Sequence, residues 1–308
     1  MCIDKLTGQT PDPVDVSDGA RRLWPSPMLI DAHTHLYDCY DLATYFDATL
    51  ANIRRAKEQF GLYLGTDPDK HTPACLMLTE PAGIYAFESL RQQGELDGGR
   101  WRFIPCEEDV SLIAQCDGRD ELVLIEGRQI QTTELLEVLS LCCDKVVPDW
   151  QYTTEEVLGR VIEHGGMPVL PLGVGKWWWS RGRVIDRVLN GPFCEKLYLG
   201  DNAGRLAMGP TPRHFIEARK RGVWILPGSG ALPFKSQMMR VGRYGLVLEH
   251  RIDRAEPAAS IKRAILAGGE QPVIYGRPDG LANFLKLQIG IQIRNFLKRS
   301  SEGPPRDT

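Results

Sequence analysis

Strand and helix alternate along this chain, and an apolar run near its start ends in two histidines separated by one residue; together these predict an α/β protein, a (β/α)8 TIM barrel with its active site at the strand ends. Eight short apolar runs supply the strands: Met28 to Asp31, Ala74 to Thr79, Trp101 to Pro105, Leu122 to Ile125, Lys145 to Val147, Pro168 to Leu172, Lys196 to Leu199 and Val223 to Leu226. Between them, Leu42 to Phe60, Thr133 to Leu141, Thr153 to His164 and Thr211 to Arg221 carry apolar residues at helical spacing. Thr153-Thr154-Glu155-Glu156 has the form of a helix start. Eight parallel strands are the number that closes a barrel; an open doubly wound sheet is the alternative, and loss of the third or fifth run would leave seven strands.

The predicted organisation is a lead segment over 1–27, one barrel domain over 28–299 and a disordered polar tail over 300–308. Past Gly230 the domain continues with an apolar piece (Gly245 to Leu248), a helix (Pro257 to Leu266), an extended piece (Pro272 to Tyr275) and a long helix (Leu281 to Leu297). In that last helix Leu281, Leu285, Ile289, Ile293, Phe296 and Leu297 share one face, which predicts packing on the barrel or on a second copy. A homodimer is the default assembly for such a barrel.

The 308 residues are 43% hydrophobic, enough for a full core, and 37 basic against 40 acidic residues give a net charge of -3. So even a balance predicts neither a nucleic-acid nor a membrane partner, and leaves a small anionic molecule as the expected ligand. The start Met1-Cys2-Ile3-Asp4-Lys5 lacks the basic-then-apolar pattern of a secretory signal, and the chain is read as cytoplasmic. The eight cysteines contain no CxxC pair and are read as reduced thiols.

The run Met28-Leu29-Ile30-Asp31-Ala32-His33-Thr34-His35 carries the chemistry. In a strand, residues i and i+2 face the same side, so His33 and His35 project together and can close on one metal ion. Asp31 lies two residues earlier and is placed to orient a ring. This opening resembles the amidohydrolase superfamily and, more loosely, hydrolases of the polymerase and histidinol phosphatase type. The resemblance implies hydrolysis of an ester, lactone or amide C–O or C–N bond with a divalent metal, zinc first. It also implies that Glu126, directly after Leu122-Val123-Leu124-Ile125, completes the metal site, where such proteins place a carboxylate or a modified lysine. The same pattern expects histidines after the fifth and sixth strands and an aspartate after the eighth. Here those places lead to Asp149, to Gly173-Val174-Gly175-Lys176 and to Gly230, so a full two-metal site is not expected and a metal-free lactonase-like or decarboxylase-like variant is a sub-case.

The other strand ends supply candidates from the residues themselves. Asp201 follows Leu197-Tyr198-Leu199-Gly200 as a ligand or as the base that takes a proton from water. Glycine-rich stretches at 200–205 and 227–233 suit anion binding by backbone N–H groups, with Arg205 and Ser229 beside them and Arg128 after the fourth strand. Lys176 stands at a strand end where it could hold an anion or assist catalysis, and Trp178, within three consecutive tryptophans, is a candidate ligand wall. The plainer alternative for the glycines is tight turns, and for the tryptophans an oligomer contact. A non-catalytic barrel that binds a ligand or protein through the tryptophan loop and the last helix is the rival function.

Overall fold

Three sheets, two-, five- and eight-stranded, stand where the barrel was expected in the computed structural model of the chain. It describes residues 23–278 apart from 66, 68, 174–176, 178 and 206–208. The strands are β1 (Leu23–Trp24), β2 (Met28–Thr34), β3 (Ala74–Leu78), β4 (Glu95–Leu96), β5 (Trp101–Pro105), β6 (Ser111–Cys116), β7 (Arg119–Ile125), β8 (Gly127–Gln131), β9 (Glu137–Leu141), β10 (Met167–Pro171), β11 (Tyr198–Asp201), β12 (Ile225–Pro227), β13 (Tyr244–Leu248), β14 (Ile252–Asp253) and β15 (Val273–Gly276). The α-helices among the described residues are α1 (Leu42–Gln59), α2 (Ala86–Gln93), α3 (Thr154–Glu163), α4 (Trp179–Leu189), α5 (Arg213–Lys220) and α6 (Pro257–Leu266).

The large sheet runs β15-β13-β2-β3-β7-β6-β5-β4, the second runs β12-β11-β10-β9-β8, and β1 pairs with β14. Local signals fix several of the elements. Asp41 caps α1 by accepting Thr44 N at 2.9 Å, and Thr153 with Glu156 forms the anticipated capping box at the start of α3. β2, β3 and β7 are parallel, as are β10, β11 and β12, so part of the βα pattern holds.

The expected barrel is corrected because its neighbour positions are taken. β13 lies antiparallel beside β2, and β7 continues into an antiparallel meander through β6 and β5. The segment predicted as a helix over Thr133 to Leu141 contains strand β9, antiparallel to β8 and β10, and the predicted strand Lys145 to Val147 is irregular. Hairpins turn the chain back where a barrel needs helical crossovers. The two sheets meet instead through isolated backbone bonds: Glu80 N to Gly127 O at 3.0 Å and Gln129 N to Glu80 O at 2.9 Å on one side, Gly230 N to His33 O at 2.8 Å on the other.

The core is layered accordingly. Leu29, Leu76 and Leu78 pack with Phe46 and Ile53 of α1 and Phe87 of α2 on the outer face of the large sheet. Ile30, Cys75, Met77, Leu139, Val169 and Leu226 fill the space between the sheets, where Ile261 and Ile265 of α6 join them. Leu170, Leu199 and Ile225 pack with α3, α4 and α5 on the far face. The predicted long helix over Leu281 to Leu297, the tail and residues 1–22 of the lead lie outside the described residues. Among the described residues, no helix is long and apolar enough to cross a membrane, and the cysteines are free thiols.

Candidate metal and ligand site

A break in the register of β2 builds the site. Ile30 pairs with Cys75 and Asp31 with Leu76, but Thr34 pairs with Leu78, so three residues of β2 span two of β3. This bulge keeps Asp31 and Thr34 on the Leu76 and Leu78 side and sends His33 and His35 to the other side. There the two Nε2 atoms lie 3.1 Å apart, with the rings edge to face at 4.9 Å between centroids. Both residues are buried. His35 Nδ1 lies 3.4 Å from Thr79 Oγ1, and its ring stacks on Tyr37 at 5.0 Å. Burial, and then the neighbouring His33, push the His35 pKa down to about 3, so this imidazole is neutral at physiological pH. Two nitrogens bound tetrahedrally to one zinc at about 2.0–2.1 Å would sit about 3.3 Å apart, and the pair is within a few tenths of an ångström of that span.

Asp31 is a latch. Its oxygens accept Ser229 N at 2.8 Å, Gly242 N at 2.9 Å and His33 N at 3.3 Å, which ties the loops after β12 and before β13 to β2. Burial outweighs these bonds and lifts its pKa to about 6. Gly228 is required beside it, because an added Cβ would lie 2.3 Å from His33 N. Gly230, at φ +51°, brings its N–H to His33 O.

Glu126 and Arg128 are brought together. Arg128 bonds Glu80 Oε2 at 2.8 Å and Glu126 Oε1 at 2.6 Å and lies over the Tyr85 ring at 4.9 Å. Glu80 also accepts Phe87 N at 2.7 Å, and burial raises its pKa to about 7 and raises that of Glu126 as well. The network ties β3, β8 and α2 together. Among the described residues, no third His, Cys, Asp or Glu joins His33 and His35 in a metal-sized cluster.

Asp201 and Arg205 meet at the end of β11. Arg205 Nε at 2.9 Å and Tyr244 OH at 2.7 Å both donate to Asp201 Oδ2. Gly228 N donates to Asp201 O at 2.9 Å, which sets this group one strand from the histidines. Ser229 is buried and held through its backbone by Asp31. Lys176 and Trp178 lie outside the described residues. Sequence reading missed Tyr244 and the donor role of Gly242; neither carries a local signal, since each meets its partner only through the fold.

No protein-family profile matches the chain, and no curated protein matches it. Solved structures do. PsfC from Pseudomonas syringae PB-5123 is 14% identical over 89% of this chain and 98% of that one, with a TM-score of 0.50. The likeness is one of fold. A two-domain protein from Bacteroides vulgatus ATCC 8482, described as containing a predicted PHP-like metal-dependent phosphoesterase, is 11% identical over 88% of this chain and 70% of that one, at TM-score 0.46. Endonuclease Q, in complex with a 27-mer duplex substrate carrying an abasic lesion, is 14% identical over 79% and 57% of the respective chains, at TM-score 0.45.

Two expectations are corrected. The amidohydrolase-like barrel gives way to three separate sheets with no closed barrel. The exclusion of a nucleic-acid partner is withdrawn as well. Balanced net charge was a poor ground for it, because phosphate contacts need only local basic groups.

Proposed function

We propose that the chain is a metal-dependent hydrolase of phosphate esters, with His33 and His35 as the protein ligands of one divalent ion, zinc first. The observation that carries this reading is the pair of Nε2 atoms 3.1 Å apart on buried imidazoles, one of them held neutral. Neutral imidazole nitrogens suit zinc and its neighbours in the first transition row, and two of them fill two corners of a tetrahedral site. When bound, such an ion lowers the pKa of a water toward neutrality and polarises a phosphoryl oxygen. The chain's own part is to hold the rings: Thr79 and Tyr37 fix His35, and the Asp31 latch fixes the backbone of His33. The remaining ligands are water and substrate oxygens. The choice of a phosphate ester rests on Arg205, part-exposed at the end of β11; the N–H groups of Gly204, Gly228, Ser229 and Gly230 already donate within the protein.

The test is elemental analysis of protein purified without chelator, beside the His33→Ala, His35→Ala double variant, with hydrolysis of p-nitrophenyl phosphate and bis(p-nitrophenyl) phosphate followed in parallel. Near-stoichiometric metal and turnover, both lost in the variant, are expected. Metal-free protein that takes up none of the added zinc, manganese or iron overturns the reading. One observation favours a second reading: no third ligand joins the pair among the described residues. On that reading the imidazoles act without metal, one donating to the other and both shaping a polar binding site.

A further inference from the structure

The two donors on Asp201 converge on a single oxygen. Oδ2 takes both Arg205 Nε and Tyr244 OH, while Oδ1 is fully buried and has no hydrogen-bond partner. A purely structural Asp–Arg pair closes as a fork, with two parallel bonds that use both oxygens and a terminal nitrogen. This pair is not closed. Its hydrogen bond to Asp201 uses only Nε, Arg205 also hydrogen-bonds with Tyr244, and Arg205 is 26% exposed while Asp201 is 2% exposed. A buried carboxylate oxygen left unpaired is costly, so native proteins rarely tolerate it without a role for the atom. The position is fixed from three sides: Tyr244 from β13, Gly228 N on the Asp201 carbonyl, and the Asn202 to Gly204 turn, where Asn202 Oδ1 accepts Gly204 N and Ala203 is held at φ +56°. Strained backbone of this kind persists where the surroundings demand it.

We propose that Asp201, Arg205 and Tyr244 form a recognition unit for a phosphate ester that carries a hydroxyl group close to its phosphate, the hydroxyl donating to Asp201 Oδ1 and the phosphate accepting from the terminal nitrogens of Arg205. Tyr244 is the positioning residue. By occupying Oδ2 together with Nε, it leaves Oδ1 without a donor and keeps the ion pair from closing into a fork. The unit deepens the proposed hydrolase reading by naming its substrate class, and it lies one strand from the histidine pair through Gly228 and Gly230.

The experiment is calorimetric titration of the full chain, without added metal, with glycerol 1-phosphate and with propyl phosphate, which lacks the hydroxyls. Wild-type protein should bind the hydroxylated ester about tenfold more tightly, the worth of one charge-assisted hydrogen bond. Asp201→Asn should cut that preference to about twofold or less, and Tyr244→Phe should reduce it in part. Arg205→Lys should weaken both esters alike, by about tenfold. Circular dichroism establishes that each variant folds, and Asp201→Asn and Arg205→Lys are close in shape to the originals. Equal affinity of the two esters for wild type, absence of binding by either, or a preference that survives Asp201→Asn overturns the inference. The His33→Ala, His35→Ala protein separates the two claims: a hydroxyl preference retained there, with no metal bound to wild type, upholds this unit while the metal reading fails.

Discussion

Replacing Gly228 by alanine should part the strands on which the histidine pair rests. A Cβ at this position lies 2.3 Å from His33 N, 2.5 Å from His33 Cβ and 2.8 Å from His33 Cα. Carbon atoms in ordinary contact sit about 3.5–4.0 Å apart, so β12 must retreat from β2 by about 1 Å. Backbone atoms cannot escape by changing rotamer. Two bonds cross this seam: Ser229 N to Asp31 Oδ1 at 2.8 Å and Gly230 N to His33 O at 2.8 Å. Overpacking costs about 1–3 kcal/mol and each weakened bond about 0.5–1.5 kcal/mol, so a total loss of roughly 2–6 kcal/mol is expected. Gly159→Ala is the matched control, because an added Cβ there meets only Phe193 ring atoms, at 3.8 and 3.9 Å, on the face of α3. Helix propensity predicts a gain of about 0.5–1 kcal/mol for it. Urea unfolding of the two variants beside wild type measures both. A Gly228→Ala protein within about 0.5 kcal/mol of wild type, a change typical of indifferent surface positions, would refute the reasoning.

Three other perturbations follow from the same structure. Arg128→Met leaves Glu80 and Glu126 buried without their cation and should cost about 3–5 kcal/mol at pH 8. Glu80 already holds its proton up to about pH 7, above its usual 4.5, so the folded variant keeps protons that the unfolded chain releases. Its deficit should therefore shrink as pH falls toward 5, and a deficit independent of pH would contradict this account. His71 is pushed down from 6.5 to about 4 by burial and by Lys57 and Arg119, so between those values the unfolded chain binds a proton that the folded one refuses. Stability should fall by up to about 3 kcal/mol as pH drops through that window and return above it, and His71→Gln should flatten this limb in a denaturation series. Thr153→Ala removes the side chain that accepts Glu156 N and should lower stability by about 1 kcal/mol in thermal unfolding; no change would mean that the capping box contributes nothing here.

How far the fold could be read depends on what an apolar run reveals. Most of the predicted strands are present, because runs such as Leu122 to Ile125 are buried on both faces. The same burial hides strand direction: a central strand of an antiparallel meander reads like one of a parallel sheet. One legible signal was passed over. Asp117-Gly118, both at positive φ, form the tight turn between β6 and β7, a strong short-range mark of a hairpin and an argument against a helical crossover there. β9 was harder, since Leu135, Leu136, Val138, Leu139 and Leu141 fit helical spacing as well as a strand. β8 looked polar because the charge of Arg128 is answered by Glu80 from another strand, 48 residues earlier.

The site shows the same division between local and distant causes. His33 and His35 could be placed on one face because both lie within a single run. Asp31 was assigned to that face by the same alternation, and the bulge breaks the alternation between them. Asp31 then faces Ser229 N and Gly242 N, donors about two hundred residues away that no spacing rule could reveal. The bulge and the glycines are one feature. A strand that bends toward its neighbour needs that neighbour to lack side chains at the point of approach, and Gly228 meets His33 at that point. In sequence Gly228-Ser229-Gly230 read as an anion loop or a turn, and Gly230 as a lost aspartate. In the fold these residues bring the ends of β2, β11 and β12 together, so that the histidine pair and Asp201, separated by more than 160 residues in sequence, lie one strand apart.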